Sequence, residues 1–424
     1  MEAEQTRMVC IKIIIVYYVF CICKMKRKAE ESSQRSKRQK TLIETIRNKT
    51  ELNAVVNEIS RKMGIGRNGK LIQALNDLDK TFSEENWNKV ENMLEGLELT
   101  RMEFKTVDKF DKSNLSDIQI MKETRVAQAT SKVLLDCMYQ GKECVVKVMV
   151  AKVDKVELFM ESLINIFVSA VTKKIKSISS PDVIKMGFVE GLPEFPLSSL
   201  SSWYPFKKQL ILIQEKVNAK EFKNLQEDEL RKALIILCKG LKKLQKEYNF
   251  AHRDFHCGNV MYSQGESQVY IIDFGYSCFS LTTTNEGSLQ THEGGYGYDQ
   301  FDEDYRSHIK CVNRSHDLCV LLLSLAIQFE DIQWLQVLAE EISNKYREQY
   351  RETDGWEYQD KNVKRLYEDY TFDKPIIHYW YLYEMFDIDI GMGPDEILTV
   401  LTYLDEVSKP SVNTMEKKKY NLKL

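Results

Sequence analysis

The chain has 424 residues, of which 43% are hydrophobic and 29% are charged, a composition typical of a folded protein rather than a disordered one. Its formal net charge is −3, so the overall charge gives no support to nucleic-acid binding, and no direct nucleic-acid partner is expected. The length is enough for two packed lobes and an accessory segment. The ten cysteines are scattered, without CxxC pairs or metal-site spacing, which predicts free thiols in a reducing compartment.

The first segment, residues 1–25, contains an apolar stretch at 8–23. Its uninterrupted core runs from Ile13 to Cys23 and has eleven residues, well short of the roughly 20 that a membrane-spanning helix needs. Two interpretations stay open. The stretch is either a short membrane-associating anchor or an upstream extension, with the working protein starting at Met25; the second is favoured.

Residues 26–40 form a basic arm with seven Lys or Arg against two Glu. The two basic clusters resemble a bipartite nuclear-import signal, and a solvated, disordered arm is the alternative. Residues 41–105 have apolar residues at helical spacing and predict a helical accessory region. The expected location is therefore intracellular, in the nucleus or the cytoplasm, with membrane anchoring as the less favoured alternative. Residues 411–424 are expected to be a basic tail.

From residue 106 the pattern changes to that of an α+β protein. The predicted elements are a β-hairpin over 132–150 with a turn at Gln140-Gly141-Lys142, a helix over about 154–175, and strands over 182–189 and 210–213. After Asn218 the pattern is mainly helical. We therefore expect a small β-rich N-lobe over 106–217 and a larger α-helical C-lobe over 218–410, preceded by the helical extension.

The strongest chemical signal is the segment His252-Arg253-Asp254-Phe255-His256-Cys257-Gly258-Asn259, followed fourteen residues later by Asp273-Phe274-Gly275. Transfer of a γ-phosphoryl group needs a carboxylate that orients the attacking hydroxyl and accepts its proton, and oxygen ligands that hold Mg²⁺ against the phosphates. Asp254 suits the first task. Asn259 and Asp273 suit the second, because both offer hard oxygen donors. The apolar run 269–272 predicts a buried strand that ends at Asp273.

These segments resemble the catalytic loop and the metal-binding triplet of the protein-kinase superfamily, HRDLxxxN and DFG. The resemblance implies a bilobal protein kinase-like fold, ATP and Mg²⁺ as cofactors, and transfer to serine or threonine of a protein of unknown identity. It also implies catalytic roles for Arg253, Asp254 and His256, with His256 near the transferred phosphate. The Asp-x-His-x-x-Asn arrangement is similar to haspin-like and large-DNA-virus kinases, and also to small-molecule phosphotransferases of the aminoglycoside and choline type.

Further site residues follow from the same resemblance. Lys147, inside the apolar run Cys144-Val145-Val146-Lys147-Val148, matches the lysine that holds the α- and β-phosphates. The helix after it offers Glu157 and Glu161, one turn apart, and Glu161 is the expected ion-pair partner. The segment from Leu210 to Val217 resembles the strand and hinge that bind adenine, in which Glu215 and Val217 contact the base through backbone groups.

The chain departs from the family in three places, one of which is His256, where serine/threonine kinases usually have a lysine. Where the family has a glycine-rich phosphate loop, it has small residues that include Ala127 and Ala129, and Ala does not take φ > 0 as readily as Gly. Between Gly275 and Asp317 there is no APE-like motif. Asp317 resembles the aspartate that anchors the catalytic loop from below, and an ordinary first-turn aspartate favoured by the helix dipole is the alternative.

Three functions remain open at this point. A serine/threonine protein kinase is favoured by Arg253 and by the intact Asp273-Phe274-Gly275 triplet. A small-molecule phosphotransferase of the aminoglycoside or choline kinase type is favoured by His256 and by the missing APE motif. A pseudokinase scaffold that binds nucleotide weakly is favoured by the absent glycines.

Overall fold

The computed structural model describes residues 99–121, 126–128, 132–149, 155–175, 177–190, 208–279, 289–290, 313–352, 374–379 and 389–408, together with a few single residues. The expected apolar segment 1–25, basic arm 26–40 and tail 411–424 lie outside these residues. Of the accessory region, the described positions Ala74, Glu85, Lys89, Asn92 and Met93 are helical. Ala74 is buried in the main hydrophobic core and Met93 packs against it, so this region contacts the rest of the protein.

The described strands are β1 Arg101–Met102, β2 Phe104–Val107, β3 Ile118–Met121, β4 Val126–Gln128, β5 Lys132–Tyr139, β6 Lys142–Met149, β7 Ile178–Ser179, β8 Val183–Glu190, β9 Lys208–Glu215, β10 Lys220–Glu221, β11 Val260–Ser263, β12 Gln268–Ile271, β13 Cys278–Phe279 and β14 Leu289–Gln290. The described helices are α1 Lys155–Ile175, α2 Glu227–Tyr248, α3 His316–Gln328, α4 Gln333–Glu352 and α5 Pro394–Ser408. Within this part of the chain, no helix is both long enough and apolar enough to cross a membrane.

The predicted β-hairpin is confirmed as β5 and β6, which pair in register from Lys132 opposite Met149 to Tyr139 opposite Lys142. Its two-residue turn has φ of 50° at Gln140 and 72° at Gly141, as a type I′ turn requires. The predicted helix is α1, and the other two predicted strands are β8 and β9. The small lobe is therefore built mainly from β-strands, as expected.

A short N-terminal strand segment links the two ends of the small-lobe sheet. The strand order is β1-β8-β9-β6-β5-β3-β2, and β1 and β2 are separated by a single residue, Glu103. β1 runs parallel to β8 at one end and β2 runs parallel to β3 at the other, so the sheet closes on itself. A second hydrophobic cluster fills its interior, with residues from β1, β3, β5, β6, β8 and β9.

The closure starts earlier in the chain than expected and brings β1 very close to Gly187 on β8. The small-lobe sheet begins at Arg101, five residues before the boundary expected from the sequence. Where β1 crosses β8, a Cβ on Gly187 would lie 2.6 Å from the backbone oxygen of Thr100 and 2.9 Å from the sulfur of Met102. A side chain at this position is therefore incompatible with the closure.

The larger lobe is built around α2 and α3. Helix α3 is buried from His316 to Ala326, and α2 packs against α5 and beneath a small sheet of order β10-β11-β12-β7. This lobe also contains the β13–β14 pair. It is thus less purely helical than the sequence indicates. The strand predicted over 269–272 is β12, whereas β7, β10, β13 and β14 have two residues each, too few to show a periodic pattern.

The expectation for the cysteines is wrong at one position. Cys278 is disulfide-bonded, which contradicts the expectation that all ten are free thiols, and its partner lies outside the described residues. The described free cysteines are Cys137, Cys144, Cys238, Cys257 and Cys319. Most of these are buried and pack as small apolar side chains.

Candidate active site

The catalytic-loop motif lies between the end of α2 and the start of β11. Helix α2 ends at Tyr248 and is capped by Asn249, which takes a left-handed conformation with φ of 47°. Ala251 and Cys278 exchange two backbone hydrogen bonds, of 3.0 and 2.9 Å. At the other end of the loop, the N–H of Ile272 donates to the carbonyl of Asn259 over 3.0 Å. The loop is thus tied at both ends to the segment that carries Asp273.

Asp317 supports this loop from α3. The N–H of His252 donates to Oδ2 of Asp317 over 2.8 Å, and the N–H of Arg253 donates to Oδ1 over 2.9 Å. Arg253 has φ of 65°, a left-handed conformation that costs a non-glycine residue about 1–2 kcal/mol. Asp317 does lie in the first turn of its helix, but its carboxylate bonds the loop amides, as the anchoring interpretation expects.

Burial and charge set the ionisation of this anchor. Burial raises the pKa of Asp317. The hydrogen bond and charge of His316, together with His252, lower the pKa by more than burial raises it, so the net pKa is below the ordinary value. Burial lowers the pKa of His252 despite the neighbouring carboxylates, and its Nε2 donates to the carbonyl of Ile272 over 2.9 Å. The anchor is therefore an ionised carboxylate beneath a neutral imidazole.

Asp254 and Asn259 are in direct contact. Nδ2 of Asn259 donates to the carbonyl of Asp254 over 2.8 Å and to its Oδ2 over 3.1 Å. Because the amide nitrogen is committed to Asp254, the amide oxygen of Asn259 points the other way and is a donor atom for a cation. The Asp254 side chain is 23% exposed, which lets an acceptor hydroxyl reach it.

The phosphate lysine and its expected partner come together. Nζ of Lys147 donates to Oε1 of Glu161 over 2.8 Å, and both side chains are less than a tenth exposed. Lys147 sits in a central strand, opposite Leu134 on β5 and Leu212 on β9. Its Nζ is also 3.8 Å from Oδ1 of Asp273. This contact joins the small lobe to the end of β12, where Asp273 has φ of 65°.

The donor set fits Mg²⁺. Among the residues that the structure describes, no group of three or more His, Cys, Asp and Glu side chains could form a metal cage by itself. Mg²⁺ in phosphotransferases is typically held by one or two protein oxygens, with substrate phosphates and water completing the octahedron. Asn259 and Asp273 would hold the ion here, and it would neutralise charge on the phosphates.

Of the residues expected to contact adenine and the phosphates, the structure describes Glu215, Val217 and Ala127. Glu215 ends β9 opposite Cys144, three residues before Lys147 on β6, and its N–H donates to the carbonyl of Asp182 over 2.9 Å. Val217 follows and is half-buried. Ala127 lies in β4 opposite Leu134. Ala129 lies outside the described residues.

The structure adds residues that sequence reasoning missed. The N–H of Cys257 donates to the hydroxyl of Ser324 over 2.9 Å, and the hydroxyl of Ser277 donates to the carbonyl of His252 over 3.2 Å. The ring of Tyr379 is 6.2 Å from the ring of His256. Ser324 left a signal in the sequence, since it is a polar residue inside the apolar run of α3.

These contacts occur on a bilobal, α+β, kinase-like fold, in which the groups needed for phosphoryl transfer meet where Lys147 approaches Asp273. The family model of choline/ethanolamine kinase matches residues 148–296, which is 149 of the 424 residues. The matched segment includes α1, the catalytic loop and Asp273. No curated protein matches the chain. The match supports a phosphotransferase of the kinase-like superfamily and distinguishes no haspin-like or viral subtype.

Proposed function

We propose that this chain is an ATP- and Mg²⁺-dependent phosphotransferase that transfers the γ-phosphoryl group to serine or threonine hydroxyls of a protein. The observation that carries the proposal is the joint placement of three groups. Asp254 is held by Asn259 on a loop anchored by Asp317, Asp273 approaches Lys147 to 3.8 Å, and Lys147 is paired with Glu161 at 2.8 Å.

The proposed reaction assigns one task to each group. The acceptor oxygen bonds to the γ-phosphorus while the bond to the β–γ bridging oxygen breaks, and ADP leaves with that electron pair. The hydroxyl proton passes to the carboxylate of Asp254. Lys147, oriented by Glu161, holds the α- and β-phosphates. Positioning and charge stabilisation supply most of the rate enhancement in such transfers.

The sequence of the catalytic motifs supports a protein as the acceptor. Arg253 precedes the catalytic aspartate, and Asp273-Phe274-Gly275 is complete, as in the protein kinases that the chain resembles. Phe274 is buried against Phe250 and His252, so the middle residue of the triplet lies in the core of the larger lobe.

A small alcohol is the second candidate acceptor, and two observations favour it. The family model that matches is that of choline/ethanolamine kinase, whose printed name specifies an amino alcohol. Beside His256 lies the ring of Tyr379, which stacks with His378 at a centroid distance of 4.8 Å. An aromatic face can hold a cationic ammonium group through cation–π attraction.

One transfer experiment separates these candidates. The full chain is incubated with γ-labelled ATP and Mg²⁺ against a mixture of basic proteins and, separately, against choline, ethanolamine and aminoglycosides. We expect label on protein, and a loss of about 10²-fold to 10⁴-fold in kcat for Asp254→Asn. Asp273→Asn should also remove transfer, whereas Asp395→Asn, at an exposed helix end, is the matched control and should be fully active.

The outcomes distinguish the three functions left open by the sequence. Label on the small alcohols alone would transfer the assignment to the second candidate. ATP binding without label on either class would identify a scaffold that binds nucleotide. Full activity of Asp254→Asn would show that the catalytic base is assigned wrongly.

We further propose that the chain acts inside the cell, in the nucleus or the cytoplasm, with the basic arm 26–40 as an import signal. The support is the charge pattern of the arm. A fluorescent fusion of the whole chain should be nuclear, and replacing the seven Lys and Arg of the arm by Gln should redistribute it. An unchanged distribution would contradict the import role, and membrane fluorescence that disappears on deleting residues 8–23 would favour the anchor.

A further inference from the structure

His256 and Gly258 make a contact inside the catalytic loop. The backbone N–H of Gly258 donates to Nδ1 of His256 over 3.1 Å. A backbone amide can donate but cannot accept, so Nδ1 carries no proton while this hydrogen bond exists. His256 is then a neutral imidazole with its hydrogen on Nε2.

Nε2 lies on the side of the ring that faces the catalytic carboxylate. Its distance to Oδ1 of Asp254 is 3.8 Å, which is too long for a hydrogen bond. The other carboxylate oxygen, Oδ2, accepts from Asn259. The His256 side chain is 32% exposed, so its Nε2–H can be reached by a substrate that approaches Asp254.

A side chain at position 258 would press on the His256 ring. A Cβ built on Gly258 would lie 3.0 Å from Cε1 and 3.1 Å from Nδ1 of His256, and its neighbours within 4 Å are these two ring atoms. Gly258 does not have a positive φ, so an alanine could adopt its backbone conformation. An alanine at this position would therefore displace the imidazole ring by a few tenths of an ångström, while its backbone would be unstrained.

We propose that Gly258 is a positioning residue that holds His256 as a neutral Nε2–H donor, and that this N–H donates to an oxygen of the phosphoryl group during transfer. The proposal rests on the proposed function. His256 neither gives nor takes a proton in this step. The acceptor proton still goes to Asp254, and the Nε2–H stabilises the negative charge of the group in transit.

A double-mutant cycle tests the coupling. Gly258→Ala should lower kcat about a hundredfold, the effect of removing one preorganised donor, without changing the KM for ATP. His256→Ala should lose as much, and the double variant should be no worse than His256→Ala, since the added methyl group then meets no ring. His256→Gln should recover part of the activity through its side-chain N–H. Gly265→Ala is the matched control, because a Cβ there meets nothing within 4 Å.

Nitrogen NMR of the histidine-labelled full chain provides a measurement independent of turnover. The chain has six histidines, and the signals that disappear in His256→Gln belong to His256. We expect an unprotonated Nδ1 and a protonated Nε2 in the wild type, and a mixture of the two tautomers in Gly258→Ala.

The two measurements separate this proposal from the proposed function. A protonated Nδ1 in the wild type would overturn the positioning role, as would a loss from Gly258→Ala that persists in the His256→Ala background. A wild-type chain with the expected tautomer and no transfer to any acceptor would contradict the proposed function and leave the positioning supported.

Discussion

Asp317→Asn tests how the catalytic loop is held. The Asp317 carboxylate accepts the N–H groups of His252 and Arg253 at 2.8 and 2.9 Å, and it is fully buried. Asparagine keeps the shape but presents one oxygen and one NH₂ group. One loop amide would then face a donor in place of an acceptor, and the remaining hydrogen bond would lose its charge.

The magnitude follows from these two bonds. A hydrogen bond to a charged group contributes about 1.5–3 kcal/mol, and leaving a buried donor unpaired costs about 1–3 kcal/mol. These describe overlapping losses, so we expect a total of about 2–4 kcal/mol. If this whole free energy is lost from the catalytically active conformation of the loop, kcat falls about 30-fold to 1,000-fold. The left-handed Arg253 favours this outcome, because releasing the loop relieves its strain.

The assay compares kcat, the KM for ATP and the urea midpoint. Asp395 is the matched control, since it is also a first-turn aspartate, but its side chain is 50% exposed and pairs with Lys242. Asp395→Asn should change stability by about 1 kcal/mol or less and leave kcat intact. If Asp317→Asn behaved like Asp395→Asn, the anchoring role would be refuted.

Three further outcomes are expected. Glu161→Gln removes the charge 2.8 Å from Nζ of Lys147 and should lower kcat/KM for ATP at least about tenfold. If an ATP titration gave an unchanged kcat/KM, the ion pair would be dispensable. Gly187→Ala should lower the free energy of unfolding by about 1–3 kcal/mol, against no change for Gly265→Ala; equal urea midpoints would contradict the closure of the sheet. His252 has a pKa lowered from 6.5, so the native state binds fewer protons than the unfolded state. Its contribution to stability is present above pH 6.5 and is lost as the pH falls below it, by at most about 1.4 kcal/mol per pH unit. His252→Gln should remove that slope from midpoints measured between pH 7.5 and 5, and an unchanged slope would place its origin elsewhere.

The elements that sequence reasoning could predict are those with a strong local signal. The β5–β6 hairpin combines strand propensity with a Gly-containing turn, and α1 has a long apolar face. The contact of Lys147 with Glu161 was predictable because a charged residue inside an apolar strand needs a counter-charge on the element that packs over it. The order of the catalytic segments was enough to place Asp254, Asn259 and Asp273 in one region.

The closure of the small-lobe sheet was not predictable in the same way. β1 and β2 are two and four residues long, and their partners β8 and β3 are chosen by tertiary packing rather than by local pattern. Gly187 reveals the close approach only once β1 is in place. The role of Gly258 was hidden for a similar reason, since it depends on where the His256 ring lies.

Helix α3 gives one last consequence. It holds the catalytic loop at two places, through Asp317 and, two turns later, through Ser324, and its side chains between them are core residues. Any shift of this helix along its axis moves both supports together. Substitutions in its apolar face, which ordinarily would alter heat resistance alone, should therefore alter turnover as well. Substitutions meant to raise the thermal stability of this enzyme should therefore repack α2 or α5 and leave α3 unchanged.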